Sequence, residues 1–170
     1  TAPGSNLIYN VFQNAGKSYS AGIETIVSHK IASWYNANLN FNFYQNKFNA
    51  FTVNNLYPVA SIFHNDAQEI FTGNVKLNNV FTFSKTLSGQ ISGVYLAPDI
   101  IPQGKTNARF SADLGIKKTV QKGKGEVYLN ASDLFNTLVI QKDIVGDGFR
   151  YTSKDYYETQ VIRFGYSYKF

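Results

Sequence analysis

At 170 residues the chain has room for one domain or one small barrel, and its 44% hydrophobic content excludes a disordered segment. Aromatic residues reach 16% while charged residues stop at 16%, below the roughly 25% of ordinary soluble domains, so a conventional water-facing surface is excluded as well. The lack of cysteine removes disulfides and thiolate chemistry, and the net charge of +5 is scattered in ones and twos, with neither a basic helix nor an aromatic RNA-binding motif, so nucleic acid is not the expected partner.

The chain opens on TAPGSNLIYN, which has neither the basic region nor the apolar stretch of a signal peptide, and no run of about 18 apolar residues follows anywhere. The expectation is a mature chain, or a piece of one, without a transmembrane helix. From there the dominant period is two. A weak alternation covers Leu7 to Phe12. In YSAGIETIVS, Tyr19, Ala21, Ile23, Thr25 and Val27 oppose Ser20, Gly22, Glu24 and Ser28. In YNANLNFNFYQ, Tyr35, Ala37, Leu39, Phe41 and Phe43 oppose four asparagines, Asn36, Asn38, Asn40 and Asn42. Weaker alternation runs over Phe71 to Phe83 and Leu87 to Tyr95. ARFSADLGIKK sets Ala108, Phe110, Ala112, Leu114 and Ile116 against Arg109, Ser111, Asp113, Gly115 and Lys117, and GEVYLNAS repeats the scheme. The last segment, VIRFGYSYKF, puts Ile162, Phe164, Tyr166, Tyr168 and Phe170 on one face and Arg163, Gly165, Ser167 and Lys169 on the other. Strict alternation of this kind makes strands with one apolar and one polar face.

About eight strands result, joined by connections of two kinds. SHKIAS, SKTLSG and VQKGKG are short and turn-like, whereas the links around Asn46 to Gln68, Ala97 to Asn107 and Asn136 to Asp155 are longer. From the third strand onward short and long alternate, as in an up-and-down barrel whose rims face different environments; the first connection, QNAGKS, is short where a long one would be expected. The polar faces are rich in Asn, Ser, Gly, Thr and Gln rather than Lys and Glu, and Tyr and Phe gather near strand ends. These features predict an all-β, antiparallel up-and-down transmembrane barrel with a wet lumen and aromatic girdles, rather than a soluble barrel with an aliphatic core. A ten-residue strand tilted by roughly 45° spans about 23 Å, which matches an outer-membrane apolar band of about 25 Å.

Two residue sets in this reading resemble a known family. The ending RFGYSYKF, through Arg163, Gly165, Tyr168 and Phe170, resembles the C-terminal assembly signal of bacterial outer-membrane barrels, which the barrel-assembly machinery reads. NAGKSYSAGIE (Asn14 to Glu24) and NASDLFNT (Asn130 to Thr137) resemble landmarks in the last third of TonB-dependent outer-membrane receptors of the Bacteroidetes type. The resemblance implies that residues 1–170 are a single barrel segment, the C-terminal part of a longer receptor of about 22 strands. Its plug domain and its segment contacting the energy-coupling TonB complex would lie in the N-terminal part. It further implies residence in the outer membrane, contact with its lipid, a possible surface lipoprotein partner, and uptake of a siderophore, glycan or peptide. The alternative reading is a free-standing eight-stranded outer-membrane barrel with an adhesin or envelope-stability role.

Candidate site residues fall into two groups. Glu24, Arg109, Asp113, Lys117 and Arg163 lie on predicted lumen faces, where they can line a ligand path or simply pair within a wet wall. The long loop FTVNNLYPVASIFHND carries Phe51, Leu56, Tyr57, Ile62 and Phe63; Tyr57 and Phe63 are the candidates for touching ligand or a lid, with packing against neighbouring loops the equal alternative. His29 is expected at a turn and His64 in a loop, with no second ligand at metal spacing. Asp66 and Glu69 lie near His64, but a nucleophile with a positioned base is missing, so neither catalysis nor a cofactor is expected. GDG at Gly146 to Gly148 reads as a tight turn.

Overall fold

The computed structural model describes residues 11–56, 59–146 and 148–170. In chain order the strands are β1 (Ser18–Ala32), β2 (Tyr35–Phe48), β3 (Phe51–Asn55), β4 (Ser61–Asn65), β5 (Gln68–Thr82), β6 (Leu87–Leu96) and β7 (Asp99–Ile101). They continue with β8 (Gly104–Thr106), β9 (Arg109–Val120), β10 (Gly125–Ser132), β11 (Val139–Gly146), β12 (Phe149–Tyr156) and β13 (Val161–Tyr168). Seven long ones form a single antiparallel meander in the order β1-β2-β5-β6-β9-β10-β13. These are the seven strands expected from Tyr19 onward. The alternation at Leu7 to Phe12 falls mostly outside the described residues, and Val11 and Phe12 are not in a strand.

Once that first segment is set aside, short and long connections alternate without exception. Ser33–Trp34, Phe83–Thr86 and the single turn at Gln121–Gly123 close one rim. At the second of these, the Ser84 hydroxyl accepts from the amides of Thr86 and Leu87 at 3.2 and 3.1 Å, a local side-chain turn. His29, expected at a turn, lies inside β1: the strand runs on to Ala32, with a register shift between Lys30 and Ala32, and leaves only two residues to reverse the chain. The opposite rim carries the three long connections, and each is itself a hairpin, β3–β4, β7–β8 and β11–β12. The last two join through β8 and β11 into a four-stranded sheet, β12-β11-β8-β7. His64, expected in a loop, is therefore in β4. The GDG turn is where it was expected, between β11 and β12, with Gly148 at φ +71; Asp147 lies outside the described residues.

The register carries the sequence pattern intact across the meander. Ile23, Phe43 and Gly73 are successive partners, as are Val27, Leu39 and Leu77, then Tyr95 and Phe110, and Leu129 and Phe164. One face of the sheet is thus apolar from β1 to β13, and among the described residues little packs on it beyond Phe135, whose ring stacks on Phe110 at 6.3 Å. Among the described residues only Phe63 and Ala112 are buried hydrophobics, while Ile23, Phe71, Ile162 and Phe164 are two-thirds or more exposed. A protein that left this much contiguous apolar surface in water would aggregate; in lipid the same surface is solvated. Aromatic rings mark its two borders. Tyr35 and Phe81 stack at 4.9 Å beside Trp34 and Phe83 at the turn rim, and Phe43 stacks on Phe71 at 5.9 Å towards the other. Eight residues of β2 separate Tyr35 from Phe43, a rise of about 20 Å once the strand is tilted, comparable to an outer-membrane apolar band.

On the opposite face, glycine makes room for a ring across the last strand pair. Gly165 is the partner of Tyr128, whose ring lies where a Cβ on Gly165 would be. A Gly165→Val change is expected to force the ring away and cost about 1–3 kcal/mol, as overpacking does. It is read as a lower urea midpoint in detergent, with Ser167→Val on the same face changing little.

Candidate functional site at the long-loop rim

The polar face is a wall rather than a focal site. Glu24, Arg109, Asp113, Lys117 and Arg163 all lie on it, as their alternation requires. They do not converge: β1 and β9 are four strand spacings apart, about 19 Å across the sheet. Four of the five are engaged locally instead. Glu24 accepts a hydrogen bond from Asn40 at 3.0 Å, Lys117 pairs with Glu126 at 3.4 Å, and an Arg163 guanidinium nitrogen reaches the Ser132 hydroxyl at 3.5 Å. The amide ladder of β2 is knitted to β1 in the same way, with Asn38 donating to Ser28 at 2.6 Å. Exposed pairs of this kind contribute little stability, but they keep the wall wet and polar along its height.

Asp113 has a different task, which leads to the most enclosed polar group of the rim. Its carboxylate accepts the backbone amide of Asp133 at 2.9 Å. Asp133, at the exit of β10, is only 2% exposed, and its own carboxylate gathers the amides of Thr137 (3.0 Å) and Leu138 (3.1 Å) and the Thr159 hydroxyl (2.7 Å). Burial would raise its pKa. The hydrogen bonds from the Thr159 hydroxyl, the two amides and the Thr137 hydroxyl outweigh that and hold the carboxyl below its usual range. The residue sits at φ +45, a left-handed conformation that Asp tolerates better than most. One side chain thereby ties the start of the β11–β12 connection to the segment entering β13. Sequence reading had marked NASDLFNT as a landmark without isolating Asp133; the signal available was an Asp followed by Thr four residues on, where a carboxylate can close a turn on its own backbone.

At the far end of the β11–β12 hairpin the connections line a cleft of about 570 Å³, between β4 and the four-stranded sheet. Its lining mixes Phe63, His64, Asn65, Gln68, Gln103 and the backbone of Gly104, with Val145 adding an apolar patch. Phe63 is 8% exposed and leans on Phe51 at 6.2 Å, so its ring serves first as the core of the β3–β4 hairpin. Tyr57, the other loop candidate, lies outside the described residues. His64 is held between the Thr52 hydroxyl at 3.0 Å and the Asp66 carboxylate at 3.4 Å, and the His64 and Asp66 side chains are both largely exposed. Gly104, at φ +142, faces the Asp143 carbonyl so closely that a side chain there would break the β8–β11 pairing that forms one side of the cleft. The β7–β8 hairpin is moored to the wall below by Asp99, which accepts from Tyr44 (3.0 Å) and Asn46 (2.9 Å).

A two-faced antiparallel meander, girdled by aromatics and capped by hairpins on one rim only, is matched by a family model. The model described as "Outer membrane protein beta-barrel family" aligns with residues 1–168. The chain belongs to the outer membrane protein beta-barrel family. No curated protein and no solved structure matches it. Membership places this outer-membrane barrel chain in the bacterial outer membrane, with its apolar face in contact with lipid. In barrels of this kind short turns are periplasmic and long connections extracellular, so the cleft and the Asp133 latch face outward. Tyr168 and Phe170, packed edge to face at 5.4 Å, sit at the periplasmic rim. Arg163 and Gly165 occupy the lumen side of the same last strand, which gives the four residues of the expected assembly signal two distinct faces.

Proposed function

We propose that this outer-membrane barrel chain is the C-terminal wall segment of a TonB-dependent receptor that takes up a siderophore, glycan or peptide. The observation that carries the reading is the open sheet: seven spanning strands whose two edges have no partner among the described residues, and a lumen face that is polar from rim to rim. Lipid tolerates spanning strands only in a closed ring, so this arc calls for more wall, and a wide wet lumen is what a plugged transporter needs. The extracellular cleft supports ligand capture, because its amides, glycine backbone and few apolar side chains offer fixed donors and acceptors without a catalytic constellation. In this reading the last strand is recognised by the barrel-assembly machinery through Arg163, Gly165, Tyr168 and Phe170. The plug domain and TonB contact lie upstream, and a surface lipoprotein closes over the loops, with Tyr57 and Phe63 on the contacting hairpin.

The test is made on the native protein. An antibody to the β3–β4 hairpin is expected to detect an outer-membrane protein far larger than the 19.1 kDa of this chain. Deleting its gene should abolish energised uptake of one member of a panel of ferric siderophores, oligosaccharides and peptides, and a protonophore should do the same. A band at the mass of this chain alone, or uptake indifferent to the protonophore, would sink the receptor reading in favour of a small free-standing barrel.

A further inference from the structure

We infer that the periplasmic ends of β6, β9, β10 and β13 form a binding surface for the phosphate groups of anionic phospholipid in the periplasmic leaflet, with Lys118 as its membrane-facing anchor. Five lysines gather there. Lys85 lies in the turn before β6, Lys118 near the end of β9, Lys122 and Lys124 in the turn that follows, and Lys169 directly after β13. Pairing brings them side by side: the Thr119 amide donates to the Thr86 carbonyl at 2.7 Å, and the Lys169 amide donates to the Lys124 carbonyl at 2.8 Å. The four strand ends cover three strand spacings, about 14 Å. The only acidic side chain among them is Glu126, and Lys117 takes it at 3.4 Å. All five lysines are exposed, and among the described residues none of them pairs with a carboxylate. At the long-loop rim, by contrast, Lys47, Lys105 and Lys142 each face one, on Glu69, Asp143 and Asp155.

Four of the five sit in turns or beyond a strand end, where water alone would serve them. Lys118 does not. It lies on the lipid face between Leu87 and Val127, and Tyr166 follows Val127 in the same row. The Tyr166 hydroxyl donates to the Gln121 side chain in the turn at 2.6 Å, so this row stands one side-chain length from the polar level of the rim. A lysine stem is as long as a tyrosine ring; it lies along the apolar face and delivers its ammonium to that level. On the outer side of a barrel the groups met there are lipid headgroups, and a cluster of lysines at a membrane surface selects the anionic ones. A soluble periplasmic partner would have to part the lipid to reach Lys118. The inference needs only the assignment of faces and rims, and so does not rest on the receptor reading.

The full-length native protein, reconstituted in phosphatidylcholine vesicles, tests it. Electron spin resonance of spin-labelled phosphatidylglycerol and phosphatidylcholine reads which lipid occupies the protein surface. The parent is expected to prefer phosphatidylglycerol by roughly fivefold at low salt, the factor one fully engaged lysine supplies, and to lose most of that preference in about 1 M salt. Combining Lys85→Gln, Lys118→Gln, Lys122→Gln and Lys124→Gln should bring the ratio close to one, while arginine at the same four positions keeps it. Arg150→Gln with Lys154→Gln, a charge loss on β12 at the opposite rim, should leave it unchanged. If the combined variant does not insert, Lys118→Gln alone and Lys122→Gln with Lys124→Gln should each lower the ratio. Equal association of the two lipids with the parent, or a preference that the glutamine variants keep, overturns the inference. An acidic periplasmic protein that pellets with parent vesicles and not with variant ones, in the absence of any lipid preference, overturns it too and assigns the surface to a protein partner.

Discussion

Replacing Asp133 with alanine is expected to cost about 3 kcal/mol or more and to release the β11–β12 connection before the barrel wall yields. Truncation leaves the part-buried Thr137 and Leu138 amides and Thr159 hydroxyl without their carboxylate acceptor, and a hydrogen bond to a charged group contributes about 1.5–3 kcal/mol. Alanine at φ +45 adds backbone strain of about 1 kcal/mol. Asp133→Asn separates the two contributions, since asparagine tolerates the same backbone and keeps one acceptor oxygen; about half of the loss is expected from it. Limited proteolysis between Leu134 and Gln160 and the urea midpoint in detergent are the measurements, and unchanged cleavage in the alanine variant would remove the latch from the account. The carboxyl also gives the rim a pH signature. Its folded pKa lies below the ordinary 3.8, so its contribution is fully present above that value and is lost as pH falls through the folded one. The stability difference between the parent and Asp133→Asn should therefore be flat near neutrality and shrink in the acid range, below about pH 4.

Introducing arginine at Leu39 is expected to cost about 2–4 kcal/mol, the penalty for a cation on the lipid face near the bilayer midplane. Leu39 lies midway between the Tyr35 and Phe43 borders of β2 and is flanked by Val27 and Leu77, with no polar partner in that row to receive the charge. The adjacent residue provides the control. Asn40 points to the lumen and donates to Glu24, so arginine there exchanges a hydrogen bond for an ion pair and should be near neutral. Folding equilibria into lipid vesicles, followed by the heat-dependent gel shift, measure both. Equal costs at the two positions would mean that the faces have been assigned to the wrong solvents.

Much of the fold was legible because a strand's side chains alternate strictly, so a residue list such as Leu39, Phe41, Phe43 against Asn38, Asn40, Asn42 states which face is which before any partner is known. The short turns were legible for similar reasons, through Ser84 and the glycines around Lys122. The hairpins of the long connections were not. β7 and β8 have three residues each, too few for a period to register, and β8 is held by pairing with β11 nearly forty positions away. Ligand contact and loop packing stay equal readings for Phe63 in the sequence, because a loop aromatic and a miniature hairpin core look alike until Phe51 is seen beside it. The charges share the polar face that alternation gives them, yet their neighbours are not legible in the sequence: Lys117 meets Glu126 and Asp113 meets the Asp133 amide only because β9 and β10 pair in one particular register.

By itself, then, the sequence determined the solvent of each face, the number of strands that cross from Tyr19 onward, and the polarity of the two rims. Those properties are local, being set by period-two patterning and by how many residues lie between apolar runs. The tertiary structure alone decided the rest: which side chains meet, that three long connections fold into hairpins around a cleft, that Asp133 is enclosed, and that β1 and β13 run in the same direction, their outer edges without a partner among the described residues. Pairing register and strand direction are relations between distant segments, and no single stretch of sequence contains them.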